Sequence, residues 1–149
     1  MYLNTHTYYS LRYGTMSPEK LIEQALKNDV KAMALTDINN STGMIDFVKL
    51  CRQNDIYPMA GIEFRNGDEY LYTGIARNNE GFRELNEFLT EYNEKKKNLP
   101  HRPPVFNHVW IVYNLDNRPE KFKTNELLGV RPSELNRLIS SPFHRRQER

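Results

Sequence analysis

The chain alternates short apolar runs with longer stretches in which apolar residues recur every three or four positions. Each apolar run is bounded by polar or turn-forming residues, which is typical of a β-strand. These predicted strands cover residues 2–8, 32–37, 57–64, 70–76 and 108–115. The pair Asn66-Gly67 separates two of them and therefore predicts a tight turn within an antiparallel hairpin.

The longer periodic stretches predict amphipathic helices. The first helix begins after Ser17, because a hydroxyl N-cap precedes Pro18 at the first helical position and Glu19 faces the helix dipole. In the second helix, apolar residues fall at i, i+3, i+4 and i+7, which gives a single apolar face. Its face consists of Met44, Phe47, Val48 and Cys51. A third helix follows at residues 82–92, and a short one is predicted at residues 131–139.

Strands separated by helices imply an α/β fold with a parallel sheet or a barrel. A closed barrel of eight strand–helix units usually needs about 250 residues, whereas this chain has 149. Residues 141–149 form a polar tail that contains no closing strand. We therefore expect this chain to be a fragment of a larger one.

Composition and charge exclude several classes of protein. Lys and Arg number 21 against 19 Asp and Glu, and a net charge of +2 argues neither for nor against nucleic acid, whose binding would have to use local basic patches or sequence outside this chain. The single cysteine, Cys51, excludes an internal disulfide and a cysteine-built zinc site. The sequence shows neither a secretory signal nor an apolar run near the roughly 20 residues of a membrane span. We expect a cytoplasmic protein without a membrane partner.

Polar residues lie where several of the predicted strands should end. Asn4, His6, Asp37 and Glu63 are the candidates for chemistry, because active sites form where the carboxyl ends of barrel strands converge. Imidazole and carboxylate groups from separate strands suit zinc, manganese or iron. For Asp37 alone, capping of the following turn is the preferred interpretation. Glu63 lies in an apolar strand, where an unpaired carboxylate would be costly to bury.

Three segments, taken in order and at their separations, resemble a known family. HTYYSLRYG (6–14), ALTDINN (34–40) and GIEF (61–64) resemble the PHP (polymerase and histidinol phosphatase) domain, in the version that opens the alpha subunit of bacterial DNA polymerase III. Residues 74–89 are similar to the segment that follows in those subunits. The resemblance is strong over residues 2–90 and looser over 91–149. It implies a partial, distorted (β/α) PHP-type barrel, with residues 1–149 as an incomplete amino-terminal PHP domain.

The resemblance also assigns metal-ligand positions. Metal-binding members of the family carry two histidines and an aspartate in the first segment, a histidine in the second and a glutamate in the third. The corresponding positions of this chain hold Asn4, His6, Tyr13, Ile38 and Glu63. Only His6 and Glu63 keep the expected ligand type, since amide, phenol and hydrocarbon side chains are poor ligands or none at neutral pH. The resemblance therefore implies a degenerate metal site, lined by Asp37.

For function, the resemblance implies the amino-terminal PHP segment of a DNA polymerase III alpha-type subunit, a nucleotidyltransferase of DNA replication. The segment itself would have a structural or docking role, with no catalytic residue and no cofactor. Its partners would be the rest of the polymerase chain, DNA through that parent, and a proofreading exonuclease subunit.

Two other functions remain open at this point. One is an active PHP phosphoesterase or 3′–5′ exonuclease, in which His6 and Glu63 hold Mg, Mn or Zn with ligands from further along the chain. His101 and His108, which flank a proline-rich loop, are the internal candidates for such ligands. The other function is that of a stand-alone PHP-like binding protein with no polymerase attached.

Overall fold

A computed structural model describes residues 1–139, and the polar tail predicted at 141–149 lies outside them. The described residues form a five-stranded sheet with helices packed against it. In chain order the elements are α1 (Pro18–Lys27), β1 (Ala32–Leu35), α2 (Met44–Gln53), β2 (Tyr57–Asn66), β3 (Glu69–Ala76), α3 (Asn79–Lys95), β4 (Val109–Tyr113), β5 (Glu126–Leu128), a 3-10 turn (Pro132–Glu134) and α4 (Leu135–Ile139). The predicted α/β fold class is confirmed.

The sheet is mixed rather than wholly parallel. Its strands follow the order β1-β2-β3-β4-β5; the two outer pairs are parallel and the two inner pairs antiparallel. The antiparallel step from β2 to β3 is the predicted hairpin, in which Asn66 pairs with Glu69 and Gly67 has a positive φ of 59°. Glycine tolerates this left-handed conformation at no steric cost, so the turn can be tight.

The predicted first strand, residues 2–8, is reduced to one bridge between Tyr2 and Met33. The segment nevertheless runs along β1, because the Thr36 N–H donates to the Thr5 carbonyl at 2.9 Å and Thr5 Oγ1 donates to the Ala34 carbonyl at 2.5 Å. Side-chain hydrogen bonds thus replace part of a regular strand ladder. They hold the first segment beside the carboxyl end of β1.

Two apolar clusters form the core. One packs α3 against β2, β3 and β4 and is rich in aromatic rings, including those of Phe64, Tyr72 and Phe88. The other packs α1 and α2 against β1 and contains Phe47 and Cys51. Burial raises the pKa of the Cys51 thiol to about 12. Among residues 1–139, no helix has both the length and the apolar character that crossing a membrane requires.

Candidate functional site

The site forms where the segment after β1 continues alongside β2. Ile38 and Glu63 make a parallel bridge: the Glu63 N–H donates to the Asp37 carbonyl at 3.2 Å, and the Asn39 N–H donates to the Glu63 carbonyl at 2.9 Å. This pairing brings the polar ends of two strands together, as the sequence predicted. The Glu63 side chain is almost fully buried there.

Three donors surround the Glu63 carboxylate. Asn4 Nδ2 lies 2.7 Å and His6 Nε2 lies 3.1 Å from Glu63 Oε2, while Arg65 Nε lies 2.5 Å from Glu63 Oε1. Because an ionised carboxylate can only accept hydrogen bonds, His6 donates through a protonated Nε2. The structure therefore brings together three of the residues that sequence reasoning selected, and it adds Arg65.

The carboxylate is ionised at neutral pH. Burial by itself raises the pKa of Glu63, but hydrogen bonds from His6, Asn4 and Arg65 outweigh burial and leave the pKa below its ordinary value. A negative charge is therefore held inside the protein. Its compensation comes from the three N–H donors around it, of which the Arg65 guanidinium carries a permanent positive charge.

Sequence reasoning missed Arg65. Its guanidinium carbon lies 4.3 Å from the centroid of the Tyr13 ring, and its Nη1 donates to the Asp68 carbonyl at 3.3 Å. The Tyr13 hydroxyl in turn donates to Asp68 Oδ1 at 3.1 Å. A signal was present, because residues 63 and 65 are two positions apart on one strand and therefore project to the same side.

The Arg65 backbone is positioned by Asn39. Asn39 Oδ1 accepts from the Arg65 N–H at 3.0 Å, and Asn39 Nδ2 donates to the Arg65 carbonyl at 2.8 Å. Asn39 itself adopts a left-handed backbone conformation, with φ of 49°, which asparagine tolerates better than most residues. The Asn39 side-chain amide thus pairs with the Arg65 backbone as a neighbouring strand would. This pairing fixes the position from which the Arg65 side chain extends.

Asp37 is buried, and its carboxylate holds the first segment. Asp37 Oδ1 accepts from the Thr7 N–H at 2.7 Å and from Ser10 Oγ at 2.6 Å, and Oδ2 accepts from Thr7 Oγ1 at 2.6 Å. Ser10 Oγ also accepts from the Ile38 N–H at 2.9 Å. The carboxylate is therefore engaged in shaping the loop at residues 7–10, in addition to its place next to the site.

The two further histidines have other neighbours. His101 Nδ1 lies 3.6 Å from Glu69 Oε1 on a largely exposed side chain. His108 Nδ1 lies 3.3 Å from Asn78 Nδ2 at the start of α3. Neither contact connects these rings with the Glu63 carboxylate.

The residues present do not fit the metal centre that the family resemblance implies. Within residues 1–139, no group of three or more His, Cys, Asp or Glu side chains is placed to hold a metal ion. Both Glu63 oxygens already accept hydrogen bonds, and one of them faces a guanidinium. A multinuclear site needs bridging carboxylates to offset repulsion between cations, yet Tyr13 stands at the aspartate position of the first segment and Ile38 at the histidine position of the second.

Comparison with known proteins identifies relatives of this chain. Residues 3–121 match the PHP domain family. The DNA polymerase III subunit alpha of Mycoplasma genitalium is 38% identical over 93 residues, which are 58% of this chain and 10% of that protein. The subunit of the same name from Neisseria meningitidis serogroup A is 31% identical over 122 residues, 77% of this chain and 10% of that protein. The chain thus spans about a tenth of these relatives' length.

A solved structure shares the fold. An amidohydrolase from Chromobacterium violaceum, described with bound sulfate and no metal, superimposes with a TM-score of 0.50 at 21% identity, covering 63% of this chain and 33% of that one. This likeness concerns the fold alone and agrees with the mixed α/β sheet. The resemblance drawn from the three sequence segments is confirmed, since the family match covers most of the chain: this protein belongs to the PHP domain family and is related to the DNA polymerase III alpha subunits.

Proposed function

We propose that this chain is the amino-terminal PHP segment of a DNA polymerase III alpha-type subunit, and that it serves as a structural and docking part without phosphoesterase activity of its own. The parent chain would synthesise DNA during replication in the cytoplasm. The relatives' shared name supports this parent, and the short matched fraction of their length supports the role of a segment. Contact with a proofreading exonuclease subunit is part of the same proposal.

One observation supports the proposed loss of metal-dependent activity. The Glu63 carboxylate, which the family resemblance makes a metal ligand, accepts hydrogen bonds from Asn4, His6 and Arg65. A metal ion at Glu63 Oε1 would compete with a charged guanidinium for the same oxygen, and such charge-assisted hydrogen bonds are among the stronger polar contacts in proteins. This arrangement suits a structural and docking role better than phosphodiester hydrolysis.

A groove beside α2 supports the docking role. It has a volume of about 340 Å³ and lies between α2, the start of β2 and the start of α3. Ile45 and Tyr57 line it and are 78% and 68% exposed, so two large apolar side chains border the groove in contact with solvent. We assign this groove to the rest of the parent polymerase chain, because the relatives extend far beyond the matched segment.

Metal analysis of the purified chain tests the proposal. Expression in medium supplied with zinc, manganese and iron should give far less than one metal ion per chain, with no hydrolysis of single-stranded DNA. A near-stoichiometric metal content that falls in Glu63→Ala, but not in the matched control Glu69→Ala, would contradict it. That result would favour the active phosphoesterase or exonuclease instead.

A further inference from the structure

We infer that the Arg65 guanidinium is the built-in cation of this site. It takes the place beside Glu63 that the family resemblance assigns to a metal ion, and it fastens the first segment, residues 2–13, to β2. This inference rests on the proposed function, since it requires that the wild-type chain binds no metal at Glu63. It goes further, because it names the group that makes the metal dispensable.

Charge compensation supports this role of Arg65. The Glu63 side chain is 2% exposed and the Arg65 side chain is 15% exposed. A buried carboxylate without a counter-charge is strongly destabilising. In a metal-binding relative the ion would supply that charge, and here the arginine two residues along the strand supplies it at 2.5 Å.

The direction of the hydrogen bonds around Glu63 also favours a built-in cation. A metal centre needs electron-pair donors that face inward, whereas all three partners of Glu63 present N–H groups to it. The amide of Asn4 must turn its nitrogen toward the carboxylate, because the carboxylate offers only acceptors. Asn4 thus serves as a hydrogen-bond donor at a position where the family has a metal-binding histidine. The site is therefore organised around a carboxylate that accepts hydrogen bonds, and its side chains are not arranged to coordinate an ion.

The aromatic ring at position 13 lies against the Arg65 guanidinium. The family has an aspartate at this position, and here the Tyr13 ring lies 4.3 Å from the guanidinium carbon. A guanidinium stacks favourably on an aromatic face, more so when it is partly desolvated. Asp68 completes the arrangement, since its carboxylate accepts from the Tyr13 hydroxyl and its carbonyl accepts from Arg65. The cation therefore links β2, the hairpin and the first segment.

Arg65→Gln in the full 149-residue chain tests the inference, with hydrogen exchange followed residue by residue. We expect amide exchange in residues 2–13 to become about tenfold faster or more, as the loss of a charge-assisted hydrogen bond implies. Arg83→Gln is the matched control, because it makes the same charge change on an exposed helix position. It should leave exchange in residues 2–13 unchanged.

A double-mutant cycle provides a second readout that an arginine acting independently of Glu63 would not produce. Because the guanidinium compensates the Glu63 carboxylate, Arg65→Gln should lower the melting temperature of the wild type and should lower that of Glu63→Gln far less. The double variant Glu63→Gln/Arg65→Gln, compared with Glu63→Gln alone, measures this difference. If Arg65→Gln does not fold, Arg65→Lys takes its place: it should show intermediate exchange in residues 2–13.

Two results would overturn the inference: exchange in residues 2–13 of Arg65→Gln equal to that of wild type, or a loss of melting temperature on Arg65→Gln that is the same in the wild type and in the Glu63→Gln background. Failure of this inference is distinct from failure of the proposed function. Stoichiometric metal in the wild-type chain defeats the proposed function, whereas a metal-free wild type with an unaffected Arg65→Gln variant defeats only the role of Arg65.

Discussion

Tyr72 and Tyr113 are two buried tyrosines whose hydroxyl groups have different surroundings. Their ring centroids lie 6.0 Å apart in the aromatic cluster. The Tyr113 hydroxyl donates to Glu126 Oε1 at 3.2 Å, whereas the Tyr72 hydroxyl has no hydrogen-bond partner among the described residues. Burial raises the pKa of both phenols, so both remain neutral. An unpartnered hydroxyl in an apolar core costs about 1–3 kcal/mol.

We predict that Tyr72→Phe stabilises the chain by about 1 kcal/mol, because it removes a buried polar atom and keeps the ring. Tyr113→Phe is the matched control and should destabilise by about 1 kcal/mol, since it removes a donor from Glu126. Urea unfolding of the three proteins measures both changes. A loss of stability in Tyr72→Phe would mean that its hydroxyl is satisfied in solution.

At this scale, sequence reasoning could find the residues of the site but not their arrangement. Asn4, His6 and Glu63 do converge, and strand ends together with a family resemblance were sufficient to predict that. Arg65 was missed because a charged residue next to a predicted hairpin is usually a solvated one. The engagement of Asp37 with Thr7 and Ser10 depends on the path of a loop, which a local pattern does not specify.

At the scale of elements, an ion pair between the exposed Arg102 and the buried Glu126 joins a loop to the short strand β5. Arg102 Nε lies 2.9 Å from Glu126 Oε1 and Arg102 Nη2 lies 2.5 Å from Glu126 Oε2, and the Lys123 N–H donates to Oε2 at 2.7 Å. Burial by itself raises the pKa of Glu126, but these hydrogen bonds outweigh burial and lower it. The proline-rich loop is thereby fixed to the sheet.

This pair makes part of the stability depend on pH. Since the pKa of Glu126 is lower in the folded chain than in the unfolded one, its contribution is complete above about pH 4.3 and is lost as the pH falls through the folded pKa. We predict that Glu126→Gln costs about 2 kcal/mol at pH 7. The difference from wild type should shrink below about pH 4, as measured by urea unfolding at several pH values. A difference that stays constant with pH would contradict this assignment.

The predicted elements differ in how well their sequence determined them. The helices were predictable because Ser17 caps α1 and the apolar residues of α2 recur with helical spacing. The β2–β3 hairpin was predictable from Asn66 and Gly67. The strand β5 was missed, since it has three residues and is defined by its pairing with β4 rather than by its own pattern.

At the scale of the whole molecule, the fold was predictable from four short sequence segments rather than from the pattern of apolar and polar residues along the chain. Four matched stretches in order sufficed for the PHP domain, and the family match over residues 3–121 agrees. The antiparallel pairing of β3 with β4 was not anticipated, because the helix α3 between them suggests a parallel crossover. Pairing direction depends on contacts distant in sequence.

We predict that the groove beside α2 matters only in the parent polymerase. Ile45→Glu should change the stability of the isolated chain by less than about 0.5 kcal/mol, because the side chain is largely exposed. In the parent polymerase the same change should lower the melting temperature, since it places a charge in an apolar contact. Val105→Glu, at a position 66% exposed and outside the groove lining, is the control. Equal effects of both changes in the parent would count against the groove as a docking surface.

The inaccessibility of Cys51 has a practical consequence. As the chain's sole cysteine, it is fully buried, and its thiol is protonated at neutral pH, so it should react slowly with maleimide dyes. A cysteine introduced at Leu11, which is 81% exposed in the first segment, would then carry a fluorophore at one defined place. Such a probe reports directly on the release of this segment from β2, without removal of any native residue from the core.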